Sequence, residues 1–256
     1  MSLDLNRILR ETCVARAEHL PTVDSTNNRL AEIAANDAGT LPRLIVADRQ
    51  TAGRGRGSNR WWTGPGSLAF SLLVDAQTIN AADRPAPLAS LAVAVAVAET
   101  VASQLPHRPT RIRWPNDIMV ADRKLAGILI EALPDRRHII GIGINTNNSA
   151  ADAPQELQAT VATMRDLTGH IVDPTEMLVD LLKKMEREFS NLCRNPEHIT
   201  HRADVICWQR DRTLTMQCGG RTMMGRCRGI AADGSLRLET PEGLKNICSG
   251  VILCVS

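Results

Sequence analysis

The stretch from Gln50 to Trp61 sets Arg54, Arg56 and Arg60 among Gly53, Gly55 and Gly57, directly after the apolar run Leu44-Ile45-Val46-Ala47. Glycines let a backbone approach a ligand closely, and guanidinium groups make always-charged, forked contacts to phosphate or carboxylate. The combination reads as an anion-holding loop for a small phosphorylated molecule. The alternative is a flexible arginine-glycine segment of the RNA-binding kind. Those run long and repetitive, whereas this one is short and framed by Val46 and by Trp61-Trp62. Two other places carry groups of interest. Asn116 and Asp117 follow Trp114-Pro115 at the end of a strand candidate, where proline stops ladder pairing; alone, they would be an ordinary turn. Gly141 and Gly143 interrupt an apolar strand, either so that a flat ligand can lie against the backbone or as a bulge.

Four segments follow one another in a definite order: Asp24-Ser25-Thr26-Asn27; the arginine-glycine loop; Arg113-Trp114-Pro115-Asn116-Asp117 with Lys124-Leu125-Ala126-Gly127-Ile128; and Gly141-Ile142-Gly143-Ile144-Asn145. With Gly229-Ile230 and Asp233-Gly234 after them, they cover nearly the whole chain, and in that order it resembles the biotin protein ligases. The resemblance implies an ATP-dependent enzyme that activates biotin as biotinyl-5'-AMP and transfers it to a lysine of a biotin carboxyl carrier domain of a biotin-dependent carboxylase, releasing AMP. Activation is needed because a carboxylate oxygen is a poor leaving group. The route asks for an anion cradle, a cation shared by acid and α-phosphate, magnesium as the counter-ion of ATP, and a dry site.

By the same resemblance, Ser25, Thr26, Asn27, Gln50, Gly53, Arg54, Lys124, Gly127, Gly141 and Gly143 contact biotin. Arg54, Arg56, Arg60, Trp61, Arg113, Asn116, Asp117, Lys124 and Asn145 contact the nucleotide. Lys124, Asp117, Arg54 and Arg56 carry the chemistry; lysine suits a place where one compact charge serves two oxygens. Two positions depart from the family pattern. Arg113 stands where lysine usual precedes Trp-Pro-Asn-Asp, and Ser58-Asn59 replace a Gly-Arg pair, so the arginine falls one place later, at Arg60. The nearest competing reading is a lipoate or octanoate ligase or transferase of the same fold; a non-enzymatic nucleic-acid-binding module is the more distant one.

A chain of 256 residues with 43% hydrophobic content can bury a sizeable core. Its net charge of +2 is too small for a nucleic-acid-coating surface, and with no Tyr, 2 Phe and 4 Trp it has few base-stacking platforms. The seven cysteines, Cys13, Cys193, Cys207, Cys218, Cys227, Cys248 and Cys254, include no C-x-x-C pair and read as reduced thiols rather than a zinc site. Met1 to Arg10 lacks the apolar core of a signal peptide, which places the chain in the cytoplasm with no membrane partner.

The elements that must position these residues are those of an α+β fold. Strand candidates at 44–48, 67–74, 111–114, 125–132 and 138–145 imply a mixed β-sheet covered by helices, and the resemblance makes it a class II synthetase-like biotin/lipoyl ligase catalytic domain. Leu88 to Leu105, bounded by Pro85, Pro87 and Pro106, reads as a core helix. Asp173 caps a second helix, with Pro174 in its first turn and Leu178, Leu181, Leu182, Met185, Phe189 and Leu192 on one face. Ser25 or Thr26 supplies a helix cap or a ligand contact. From Trp208 the helical period stops; runs at 213–218, 222–230, 235–239, 244–247 and 251–255 predict a small SH3-like β-barrel. The expected division is a catalytic domain over 1–207 and a β-domain over 208–256. Only about two dozen residues precede Asp24, too few for a helix-turn-helix repressor domain, so no DNA binding is expected. Pairing into a homodimer through the edge of the catalytic sheet is what the resemblance implies.

Overall fold

The computed structural model describes residues 3–36, 39–79 and 86–256; Pro85 lies outside them. In chain order the elements are α1 (Leu5–Glu11), β1 (Arg16–Leu20), α2 (Thr26–Asn36), β2 (Arg43–Ala47), β3 (Leu68–Val74), α3 (Ala76–Ile79), α4 (Ala86–Gln104), β4 (Thr110–Arg113), β5 (Asp117–Val120), β6 (Arg123–Ala132) and β7 (His138–Ile144). There follow α5 (Gln155–Gln158), α6 (Met164–Thr168), α7 (Pro174–Arg194), α8 (Pro196–Val205), β8 (Thr213–Cys218), β9 (Arg221–Ile230), β10 (Leu236–Thr240), β11 (Gly243–Ile247) and β12 (Val251–Val255).

The first seven strands form one mixed sheet in the order β1-β2-β3-β7-β6-β5-β4, in which β1 and β2 run parallel and the other neighbours antiparallel. Strand side chains alternate between faces, and the two faces of this sheet differ. Leu44, Val46, Phe70, Leu72, Ile140 and Ile142 join the main core with α4 and α7, while Ile45, Leu73 and Ile139 meet Leu30 and Ala34 of α2 on the other side. Helix α4 is long and apolar enough to cross a membrane by length and composition alone. Its Leu91 to Val97 are buried against the protein's own sheet and helices, as in a core helix.

Helix α7 starts as its sequence dictates: the Asp173 carboxylate accepts from the Thr175 and Glu176 N–H groups, satisfying donors that the first turn leaves open. All six residues of the predicted stripe are buried. Side chains of α4, α7 and α8 meet in a charged knot. Glu188 is fully buried, accepts from Arg187 Nε and Arg202 Nη1 at 2.8 Å each, and shares both arginines with Glu99. Strands β8 to β12 form a five-stranded antiparallel sheet in the order β11-β10-β9-β8-β12, close to the predicted runs. Two strands of the first sheet were not foreseen. β1 has no β-branched or aromatic residue, and β5 is only four residues long, directly after the Trp114-Pro115 strand end.

Burial acts to raise the Glu188 carboxyl, but hydrogen bonds from Asn191, Arg187 and Arg202 outweigh it and hold the group below the usual carboxylate range. A depressed folded value means that the ion network's contribution is full above the unfolded value of roughly 4.3 and disappears as pH falls through the lower folded one. Glu188→Gln should therefore cost about 1–3 kcal/mol at pH 7. Urea unfolding should show the gap to wild type constant above about pH 5 and narrowing below about pH 4.

Candidate functional site

The anion loop is a short hairpin. Arg54 and Arg60 form a bridge, Gly55 N donates to Asn59 O at 2.9 Å, and Trp61 N donates to Gly53 O at 2.9 Å. Gly53 makes that closure possible, since a Cβ there would lie 2.5 Å from the Trp61 carbonyl oxygen. Its base is tied to the segment before α2: Thr51 N donates to Val23 O and Ala52 N to Asp24 O. Gln50 completes the tie. Its Oε1 accepts from Thr26 N at 2.9 Å and Thr26 Oγ1 at 3.2 Å, and its Nε2 donates to Thr63 Oγ1. The first N–H of α2 is thus met by a side chain 24 positions away in sequence, and Thr26 Oγ1 bonds the same oxygen.

Facing this loop, β6 and β7 offer a floor in which three neighbouring positions are glycine. Gly127 pairs with Gly143 across the two strands, and Gly141 follows on the same face. The space over Gly141 is filled by the Asn27 amide, and the space over Gly143 by the Trp61 indole; a Cβ would meet them at 2.2 and 2.3 Å. Ser71, fully buried on β3, lies 2.6 Å from both Thr26 Oγ1 and Asn27 Oδ1.

Lys124 is aimed at this floor by an irregularity. The β5–β6 register shifts between Ile118 and Met119, so Ile118 pairs with Ala126 and Met119 with Lys124, leaving one extra residue on β6. Such bulges re-aim side chains beside active sites. Lys124 Nζ ends 2.7 Å from Asp117 Oδ1 and 5.5 Å from the centre of the Trp61 ring. Its backbone is held by Thr160 and Ala162. Asn116 donates its amide to Ile128 O at 2.9 Å, while Asn145 Oδ1 accepts from Asn148.

The C-terminal sheet reaches the same place. Trp114 Nε1 donates to Gly234 O at 2.9 Å, Gln209 bonds both the N–H and the C=O of Trp114, and Gly250, Val251 and Ile252 line the cavity. Trp208 lies 4.0 Å beneath the Arg212 guanidinium and 5.6 Å from that of Arg113, and its Nε1 donates to Asp122. That hydrogen bond first, then one from Arg212, keeps the Asp122 carboxyl below its ordinary value.

The cavity so enclosed measures about 790 Å3, and every residue singled out from sequence lines it except Gly53. Arg56, Arg60, Arg113, Asn116, Asp117, Lys124 and Asn145 gather around it with Ser25 to Asn27 and Gln50. Ser71, Thr63 and Glu131, which bond to these residues, were not foreseen, nor were Asp122, Trp208 and Gly250 to Ile252 of the lining. Glu131 takes the Arg54 guanidinium in a two-pronged pair, at 2.7 and 3.0 Å, so Arg54 is engaged by protein rather than offered alone to an anion.

Residues 20–147 match the model of the biotin/lipoate A/B protein ligase family, a span that contains every candidate site residue. The bifunctional ligase/repressor BirA of Bacillus spizizenii is 33% identical over 248 residues, covering 90% of this chain and 71% of the relative. The chain belongs to the biotin/lipoate A/B protein ligase family. Two further comparisons cover most of the chain. A biotin--[acetyl-CoA-carboxylase] ligase of Mycobacterium tuberculosis is 29% identical, over 84% of this chain and 80% of the relative. The biotin protein ligase of Aquifex aeolicus, solved in complex with biotin and ATP, superposes with a TM-score of 0.82 at 26% identity, over 94% of this chain and 99% of that one. The chain is an enzyme of the biotin protein ligase branch of this family, with its mixed catalytic sheet and five-stranded C-terminal sheet.

Gly143→Ala should drive the Trp61 indole off the floor, since no backbone shift of a central strand opens so close a contact cheaply. Acrylamide quenching checks this against Trp61→Phe: the indole's contribution should become readily quenched in the glycine variant. An unchanged contribution would show that Trp61 does not rest on Gly143.

Proposed function

We propose that this enzyme condenses biotin with ATP to biotinyl-5'-AMP, the carboxylate oxygen bonding the α-phosphorus as pyrophosphate leaves, and passes the biotinyl group to one lysine of a biotin carboxyl carrier domain of a carboxylase. The observation that carries the reading is the Lys124–Asp117 pair, 2.7 Å apart over a glycine floor, in a cavity rimmed by Arg56, Arg60 and Arg113. A biotin carboxylate approaching the α-phosphate brings two anions together. The Lys124 ammonium lies where it would neutralise both, and a charge fixed in place beforehand needs little reorganisation as the bond forms. Arg56, Arg60, Arg113, Asn116 and Asn145 would hold the nucleotide; Ser25, Thr26, Asn27, Gln50, Gly127, Gly141 and Gly143 would form the biotin end, with Trp61 between. In the second step the acceptor lysine gives its ammonium proton to the Asp117 carboxylate. The neutral amine attacks the acyl carbon, the amide bond forms, and AMP leaves with the electrons of the broken anhydride bond.

Magnesium would screen the phosphates of ATP. Among the described residues no cluster of three His, Cys, Asp or Glu is present, and the oxygen donors lining the cavity include Asn116 and the two carboxylates Asp117 and Asp122. That set fits an ion carried in on nucleotide phosphates. The division into 1–207 and 208–256, a cytoplasmic site of action, the absence of DNA and membrane partners and a homodimer through the sheet edge belong to the same proposal. Transfer of lipoate or octanoate is the second reading, which shares the family fold; titration of the protein with biotin or lipoate, each with ATP, should give a strong thermal shift with biotin alone.

Labelled biotin should enter a carrier domain only when ATP is added; label transfer without ATP, or none with it, defeats the proposal. Lys124→Ala should lower biotin-dependent pyrophosphate exchange about a hundred- to a thousandfold, the loss of roughly 2.7–4 kcal/mol expected for one preorganised charge-stabilising donor. Exchange near the normal rate would remove Lys124 from the mechanism. With biotinyl-AMP supplied, Asp117→Asn should bind it yet transfer at least tenfold more slowly, with partial recovery as pH rises. An unimpaired single turnover would exclude Asp117 as the proton acceptor.

A further inference from the structure

Glu131 lies near the end of β6, outside every motif that pointed to the site, yet three donors converge on its two oxygens. Oε2 accepts from Asn27 Nδ2 at 2.7 Å and Arg54 Nη1 at 3.0 Å, and Oε1 accepts from Arg54 Nη2 at 2.7 Å. Arg54 Nη1 also reaches Asn28 Oδ1 at 3.1 Å, which ties the same guanidinium to the first turn of α2. The side chain of Glu131 is 27% exposed and that of Arg54 45% exposed, so the pair sits at the rim and keeps contact with water. Asn27 and Arg54 both line the cavity, Asn27 over Gly141 at its floor and Arg54 at the root of the anion hairpin.

From this geometry we infer that Glu131 is a positioning residue that fastens the arginine-glycine hairpin and the Asn27 amide to one post, so that the wall at the biotin end and the anion loop are set together. The inference rests on the ligase reading for its substrate and on the hairpin geometry for its mechanical part. A carboxylate is required because both of its oxygens accept. A glutamine would present an NH2 group to Arg54 or to Asn27, setting donor against donor. Arg54, its charge matched by Glu131, acts as the hairpin's anchor, and the anion contacts fall to Arg56 and Arg60, which lie beyond it in the loop. The Asn27 amide is held the right way round by the same carboxylate on one side and by Ser71 on the other.

The test compares wild type, Glu131→Gln, Arg54→Ala and the double variant in two measurements: tryptic cleavage after Arg56 and Arg60 without ligand, and biotin-dependent ATP–pyrophosphate exchange. Glu131→Gln should be cut at least tenfold faster in the loop. Its KM for biotin should rise at least tenfold, with kcat at saturating biotin within threefold of wild type. Arg54→Ala should show the same faster cleavage, and the double variant should add less than twofold, because both substitutions cut one connection. Wild-type cleavage and KM in Glu131→Gln, or cleavage effects that multiply in the double variant, overturn the inference, as does a fall in kcat with KM unchanged. If Glu131→Gln does not fold, Arg54→Ala, an exposed change, decides the anchor by its cleavage alone. Wild type lacking exchange would sink the ligase reading and leave the cleavage arm to judge the anchor.

Discussion

A sheet strand can bury a core on one face only if its other face is built for something else, and β7 makes that division most sharply. Ile140, Ile142 and Ile144 point into the main core, and the intervening Gly141 and Gly143 leave the opposite face bare. The core stripe fixes the register, since a slip of one residue would carry isoleucines into the site and glycines into the core. Everything at the cavity is referenced to that bare surface. Asn27 and Trp61 approach the backbone as closely as they do because no Cβ intervenes, and Gly127 extends the surface onto β6.

Charge placement follows from the same frame. The bulge after Ile118 turns Lys124 toward Asp117, so the extra residue in β6 matters as much as the identity of the lysine. The Lys124 ammonium faces one carboxylate, at 2.7 Å, and one indole, whose ring centre is 5.5 Å away. The guanidinium of Arg54 shows the contrasting case. Its fork is matched by the two oxygens of Glu131, which gives it a structural duty that its neighbours in the loop do not share.

What could be read from the chain was whatever its local chemistry announces. The Asp173 cap with the apolar stripe behind it, the five short C-terminal strands and the clustered glycines and arginines each depend on residues close in sequence. The partners that went unread are distant: Gln50 caps a helix that begins at Thr26, and Glu131 meets Asn27 across 104 positions. Faint signals existed. Ser71 is the one hydroxyl in the apolar strand Leu68–Val74, and Glu131 is the one charge that closely follows Ile128-Leu129-Ile130. β1 stayed hidden because Arg16–Leu20 carries no strand-favouring residues and owes its pairing to β2. Lys124 and Asp117 took their roles from the family pattern, and it is the sheet register that explains why they meet.

The hydrogen bonds that join Trp114 to Gln209 and Gly234 have a consequence for how such a protein can be altered. The turn that delivers Asn116 and Asp117 is finished by residues from the C-terminal part of the chain, and the cavity wall by Gly250 to Ile252. The two sheets are therefore not interchangeable modules. A different small sheet grafted onto this large one would have to supply the same carbonyl and amide partners to Trp114, or the Asn116-Asp117 turn would lose the frame that holds it. Change in either part is constrained to proceed with matching change in the other.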